Sequence, residues 1–151
     1  MVNLSRNIFF YQNIGLKDKL ETRILLIFLH LSIILIVNKI KSKVKFPQKI
    51  YDNVFMNIEY HMREIGHGDV TVNKEMKNLN KIFYDILLKI NKSKKDKFTP
   101  NQIVVKKYFN DQNLLNNEKL SKMLNYLDTF YNYCFELDLK IMIKGDLKFK
   151  Y

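Results

Sequence analysis

Residues 24–37 read ILLIFLHLSIILIV, fourteen positions of which only His30 and Ser32 carry a polar side chain. A helix that is apolar on every side either crosses a membrane or lies in the middle of a bundle. A membrane span needs about 20 predominantly apolar residues, with about 18 as a working minimum. This run stops short of that and then meets Asn38, Lys39 and Lys41. The reading that follows is a helix from about residue 18 to 41 at the centre of an all-α bundle, with a membrane-inserted helix as the rival.

The segments on either side supply the helices such a centre needs. After Pro47, a residue suited to a first helical turn, Tyr51, Val54, Phe55, Ile58, Met62 and Ile65 fall on one face of a second helix. Gly66 follows, where a left-handed residue ends a helix well. The link His67-Gly68-Asp69 leads to a third helix, with Thr71 as its expected N-cap and Glu75 in its first turn. Val72, Met76, Leu79, Ile82, Phe83, Ile86, Leu87 and Ile90 form its apolar side, and Lys74, Lys77 and Lys81 cluster opposite. Lysine-rich residues 91–97 read as a loop. Thr99-Pro100 reads as the cap and first position of a short fourth helix. A fifth spans residues 117–137, with Leu120, Met123, Leu124, Leu127, Tyr131, Cys134 and Phe135 inward. The tail, 139–151, alternates around Lys144-Gly145-Asp146 and reads as a tail or small hairpin, marginal unless it packs on the helices. The expectation is one domain, 1–151, of about five helices; 151 residues suit a single core.

Composition narrows the function classes. The net charge is +11, carried by 26 Lys and Arg against 15 Asp and Glu, and Arg occurs only at 6, 23 and 63. A basic surface attracts nucleic acid, lipid headgroups or acidic proteins. Abundant Lys, Asn and Ile is also the pattern an AT-rich genome imposes on exposed positions, so drift and a binding surface both remain open. The N-terminal residues do not form a signal or transit peptide. Phosphate-binding, dinucleotide, nucleophile-elbow and zinc-protease motifs are absent. Cys134, the single cysteine, sits among core positions with nothing to make it reactive. His61 and Glu64 are one helical turn apart, but His67 lies beyond Gly66 and a fourth ligand is missing, so no metal site is expected. His30 reads as a core histidine bonded to a carbonyl or side chain. Scarce Arg and core-facing aromatics count against a nucleic-acid- or ribosome-binding module, the alternative from another class.

Two blocks carry a resemblance. The first, residues 10–30, is FYQNIGLKDKLETRILLIFLH, with Tyr11, Gly15, Asp18, Glu21, Arg23 and His30. The second, residues 62–84, is MREIGHGDVTVNKEMKNLNKIFY, with Arg63, Glu64, Gly66, Gly68, Asp69, Phe83 and Tyr84. A closing Gly145…Phe149 pattern follows in order. Together these resemble the ubiquinol–cytochrome c chaperone family, in a short form similar to bacterial members. The resemblance implies a non-enzymatic assembly factor that binds newly made cytochrome b, or another cytochrome bc component, on the way to respiratory complex III. It implies no cofactor and no small-molecule substrate. Mitochondrial relatives act with a small partner subunit near the ribosome. The place expected is the cytoplasm or the cytoplasmic face of the inner membrane in a bacterium, held peripherally, and the mitochondrial matrix in a eukaryote. Partner binding is expected on the surface from Arg63 through Glu64, Gly66, Gly68 and Asp69 to Lys74, Lys77 and Lys81. Glu59 and Arg63, four apart, suit an ion pair, so structural roles for this block stand beside the binding one.

Overall fold

The computed structural model describes residues 1–42, 46–93, 97–110, 115–144 and 147–151. In chain order its helices are α1 (Val2–Ser5), α2 (Leu20–Lys41), α3 (Gln48–Glu64), α4 (Asp69–Lys89), α5 (Gln102–Phe109), α6 (Asn117–Glu136) and α7 (Leu139–Lys144). A π-helical turn, Phe9–Asn13, lies between the first two. The described residues contain no strand, only one antiparallel bridge between Asn91 and Pro100. The fold is all-α.

The apolar run is the core of α2. None of residues 24–37 is exposed, and Leu26, Phe28, Leu29, Leu31, Ile33 and Val37 are fully buried. Such a helix has no wet side because neighbours cover it all round. On one side Phe28 stacks on Phe55 of α3 with ring centroids 5.3 Å apart, and meets Phe83 of α4 edge-on at 5.3 Å. On another side His30 meets Tyr126 and Phe130 of α6 edge-on, at 5.7 and 4.8 Å. Burying one side chain of this size stabilises the fold by about 1.5–3 kcal/mol, so α2 holds the bundle together. At its end, Lys41 Nζ donates to the carbonyls of Phe135 and Leu137, both at 2.6 Å, which pins α2 to the C-terminus of α6. A cation satisfies the unpaired carbonyls there.

Several expected boundaries and faces differ. Helix α4 starts at Asp69 with Gly68 as its N-cap, so Thr71 is not the cap and Glu75 lies beyond the first turn. Asp69 supplies the acidic group at that positive helix end. The cap of α5 is Asn101, whose side chain accepts from the Ile103 N–H, rather than Thr99. Pro100 is held in the bridge to Asn91. Pro47 occupies the N-cap position of α3. Ile65 is 52% exposed because it is the C-cap residue of α3, where the chain leaves the apolar face. Phe135 is 42% exposed, in the last turn of α6. Tyr126 and Phe130, absent from the expected α6 face, are fully buried. The hairpin is not formed: residues 139–144 are helical, and Gly145 and Asp146 lie outside the described residues. The final residues instead lie against α6, with Phe149 packed edge-on against Phe130 at 5.2 Å. Tyr151 meets Phe9 at 4.7 Å and Tyr126 at 4.9 Å.

Candidate functional site

The corner between α3 and α4 is built by backbone capping. Gly66 has φ +92°, its N–H donates to the Arg63 carbonyl (3.0 Å), and the His67 N–H donates to the Met62 carbonyl (3.1 Å). These paired bonds form a Schellman C-cap, which needs a left-handed residue and so favours glycine. Arg63 bridges the corner. It donates to Glu59 one turn back, at 2.9 Å, and to Asp69 at the start of α4. Both carboxylates raise its pKa. Glu64 points into solvent, 3.6 Å from His61. Gly68 has an ordinary extended conformation (φ −70°, ψ 158°), and no atom lies within 4 Å of where a β-carbon would stand, so space and conformation do not demand glycine there.

Beyond this corner runs the outer face of α4. Val70, Lys74, Lys77, Lys81, Tyr84 and Leu88 recur at helical spacing of three and four, and all are exposed. Val70 is 85% and Leu88 77% exposed. None of the three lysines has an ion pair among the described residues. The stripe is thus three unpaired cations with apolar side chains at both ends. Phe83, by contrast, faces the core. Asp85, at the edge of this face, accepts from Lys107 (2.7 Å), Lys89 and the Tyr108 hydroxyl (2.6 Å). Those donors, Lys107 foremost, hold its carboxyl well below the usual range and tie α5 to α4.

The first block forms a second corner. Arg23 makes a two-pronged contact with Asp18, at 2.6 and 2.7 Å, which lowers the Asp18 pKa. Tyr11 donates to the Ser5 carbonyl at 2.5 Å and also engages Arg23. Gly15 has φ +81° and lies under the Lys119 side chain. Glu21 is exposed in the first turn of α2. These contacts fasten the N-terminal segment to α2.

Between the two corners lies a groove of about 290 Å³. Leu20, Ile24 and Ile27 of α2 form one wall, and Val54 and Ile58 of α3 the other. The first is a stripe at spacings of four and three, and the second a pair four apart. Val2 and Ser5 of α1 close one side. The polar side chains that line it are Ser5, Arg6, Arg23, Asn57 and His61, Met1 lies among them, and no acidic side chain does. The groove is not foreseen in the sequence. Its signal there is the second stripe on α3, Val54, Asn57, Ile58 and His61, which is hidden when the whole apolar face is given to the core.

The chain matches the protein-family model described as ubiquinol-cytochrome C chaperone over residues 12–149. It belongs to the ubiquinol–cytochrome c chaperone family. No curated protein and no solved structure matches it. Membership in a chaperone family implies a protein partner. The family blocks meet in the core, where Phe28 of the first lies 5.3 Å from Phe83 of the second. Leu20, Arg23, Ile24 and Ile27 of the first also line the groove opposite α3. His30 and Phe149 meet at Tyr126, which lies 5.7 Å from the His30 ring and 5.5 Å from Phe149. Cys134 is buried, and burial pushes its thiol up to about 12. Among the described residues no three of His, Cys, Asp and Glu gather where a metal ion could bind.

Proposed function

We propose that this chain is a non-enzymatic assembly chaperone that binds newly made cytochrome b and supports biogenesis of the cytochrome bc complex. What supports the reading is the family match over residues 12–149. The structure adds a surface suited to the task. The unpaired Lys74/Lys77/Lys81 face, with Val70, Tyr84 and Leu88 at its ends, offers both charge and apolar contact to a partner. In this reading Arg63, Gly66 and Asp69 set the angle between α3 and α4, and so where that face points. Glu64 and Gly68 lie on the exposed rim of the same corner. The chain works in the compartment where cytochrome b is made, held peripherally at the membrane surface, where lysines meet anionic headgroups.

The test is affinity capture of the tagged full-length chain from cells, with immunodetection of cytochrome b, beside a deletion strain. Cytochrome b should co-purify, and the deletion strain should lose assembled cytochrome bc complex. Normal complex levels in the deletion strain would overturn the reading. Nanomolar, sequence-dependent binding to RNA at physiological salt would instead support the nucleic-acid alternative.

A further inference from the structure

The groove between α2 and α3 is apolar in its walls and cationic at its mouth. Its walls are a helical stripe, Leu20/Ile24/Ile27, and a pair, Val54/Ile58, and its mouth carries Arg6 and Arg23. Arg23 is already committed to Asp18 at 2.6 and 2.7 Å. Arg6 is exposed and forms no ion pair among the described residues. No acidic residue is among the lining residues, and Asp18, the carboxylate beside the mouth, is held by Arg23 and feels the charge of Arg6 only through space, so Arg6 still has its donors to offer. At about 290 Å³ the groove is at the small end of the range for sites that enclose a whole small molecule, about 300–1,000 Å³. It suits a few large apolar side chains from a partner that remains mostly outside.

We propose that this groove receives an apolar segment of the chaperone's protein client in which a carboxylate adjoins the apolar side chains, the carboxylate meeting Arg6. The proposal rests on the client-binding reading above and gives that reading a second, chemically distinct contact. The α4 face meets charge with exposed lysines, whereas the groove takes apolar side chains out of water and uses one cation to set register.

The probe is a pair of short capped peptides, both Leu-Phe-Leu-Leu, one continued by Asp and the other by Lys. Each is titrated into the purified full-length protein and followed by methyl NMR. The Asp peptide should shift the Ile24, Ile27 and Val54 methyl signals and bind about tenfold tighter than the Lys peptide, a modest effect for one partly exposed charge pair. Arg6→Glu should reverse that preference. Asn57→Trp, at an exposed lining position, should block both peptides while circular dichroism stays helical. Equal binding of the two peptides, or shifts confined to the Lys74–Lys81 face, would overturn the proposal. So would myristate shifting the same methyl signals where neither peptide does, since that outcome makes the groove an acyl-chain site. Failure of the wild-type chain to capture cytochrome b would instead remove the client reading, and the peptide titration would still decide the chemistry of the groove.

Discussion

His30 sits inside the most apolar stretch of the chain, and its two ring nitrogens explain how it can. Nδ1 lies 2.6 Å from the Leu26 carbonyl and Nε2 lies 2.8 Å from the Tyr126 hydroxyl. A carbonyl only accepts, so Nδ1 carries the proton, and Nε2 then accepts from Tyr126. Neutral imidazole satisfies both partners, while burial disfavours the charged form and pushes the pKa down to about 4. The fold therefore prefers neutral His30. That preference is fully present above the unfolded value of about 6.5, and it is lost as pH falls from there towards about 4, because only the unfolded chain takes up the proton. The loss should reach about 3 kcal/mol at the low end of that window. Urea unfolding between pH 7.5 and 4.5 should show a steeper loss of stability for the wild type than for His30→Gln, whose amide can donate to Leu26 and accept from Tyr126. Parallel pH profiles would mean that His30 is not the titrating group. Gly66 makes the opposite case, a residue defined by its backbone. With φ +92° and nothing within 4 Å of a β-carbon position, Gly66→Ala should cost about 1 kcal/mol through conformation alone, read as a lowered urea midpoint.

At the scale of the element, α2 shows what a run of apolar residues decides and what it leaves open. Phe28 is fully buried between Phe55 and Phe83, so Phe28→Ala should cost about 3–5 kcal/mol, measured by thermal unfolding. That α2 would be central was legible because no amphipathic pattern in residues 24–37 leaves a face for water. The α4 pattern was equally legible: Val72, Leu79, Phe83 and Ile86 are buried and Lys74, Lys77 and Lys81 exposed, as period 3.6 requires. Helix α6 was less so, since a single-stripe wheel cannot register a helix covered on two sides. The tail lies over Tyr126 and Phe130, and that contact joins residues more than a dozen positions apart. Helix starts failed locally for a similar reason: Thr71 and Thr99 are good caps in isolation, but the Gly66 turn and the Asn91–Pro100 bridge fix the chain before they are reached. The corner charges Arg63 and Asp69 were visible as a motif, whereas their mutual contact depends on the turn between them. The face of α4 gives its own prediction. Lys74→Glu, Lys77→Glu and Lys81→Glu together should change folding stability little, since exposed charges are worth under about 1 kcal/mol each. The same variant should fail to support cytochrome b accumulation. A folded triple variant with normal cytochrome bc levels would make this face a solvated one.

For the whole molecule, the question is whether α2 stays inside the bundle when the protein meets a membrane. Its 22 residues, with mean hydropathy 2.2 over the best window, are long and apolar enough to cross one. The faces it covers weigh against that use. Withdrawing α2 would uncover Phe55 of α3, Phe83 of α4, and Tyr126 and Phe130 of α6, all buried in the bundle. Each large aromatic exposed to water loses about 1.5–3 kcal/mol of burial energy, so the remaining helices could not keep their packing. Insertion would also carry Arg23 and Lys39 to the membrane boundary and break the bonds from Lys41 to the end of α6. Attachment through the surface disturbs none of this: exposed lysines can meet anionic headgroups with the core intact, at about 1 kcal/mol each near the surface. Such binding is screened by salt, whereas a spanning helix is not released by salt or alkali. Membranes from expressing cells should therefore release the chain into high-salt or carbonate washes, with its helical circular dichroism retained after return to neutral buffer. A chain that stays with the membrane through both washes would place α2 in the bilayer and overturn the buried-helix account of its function.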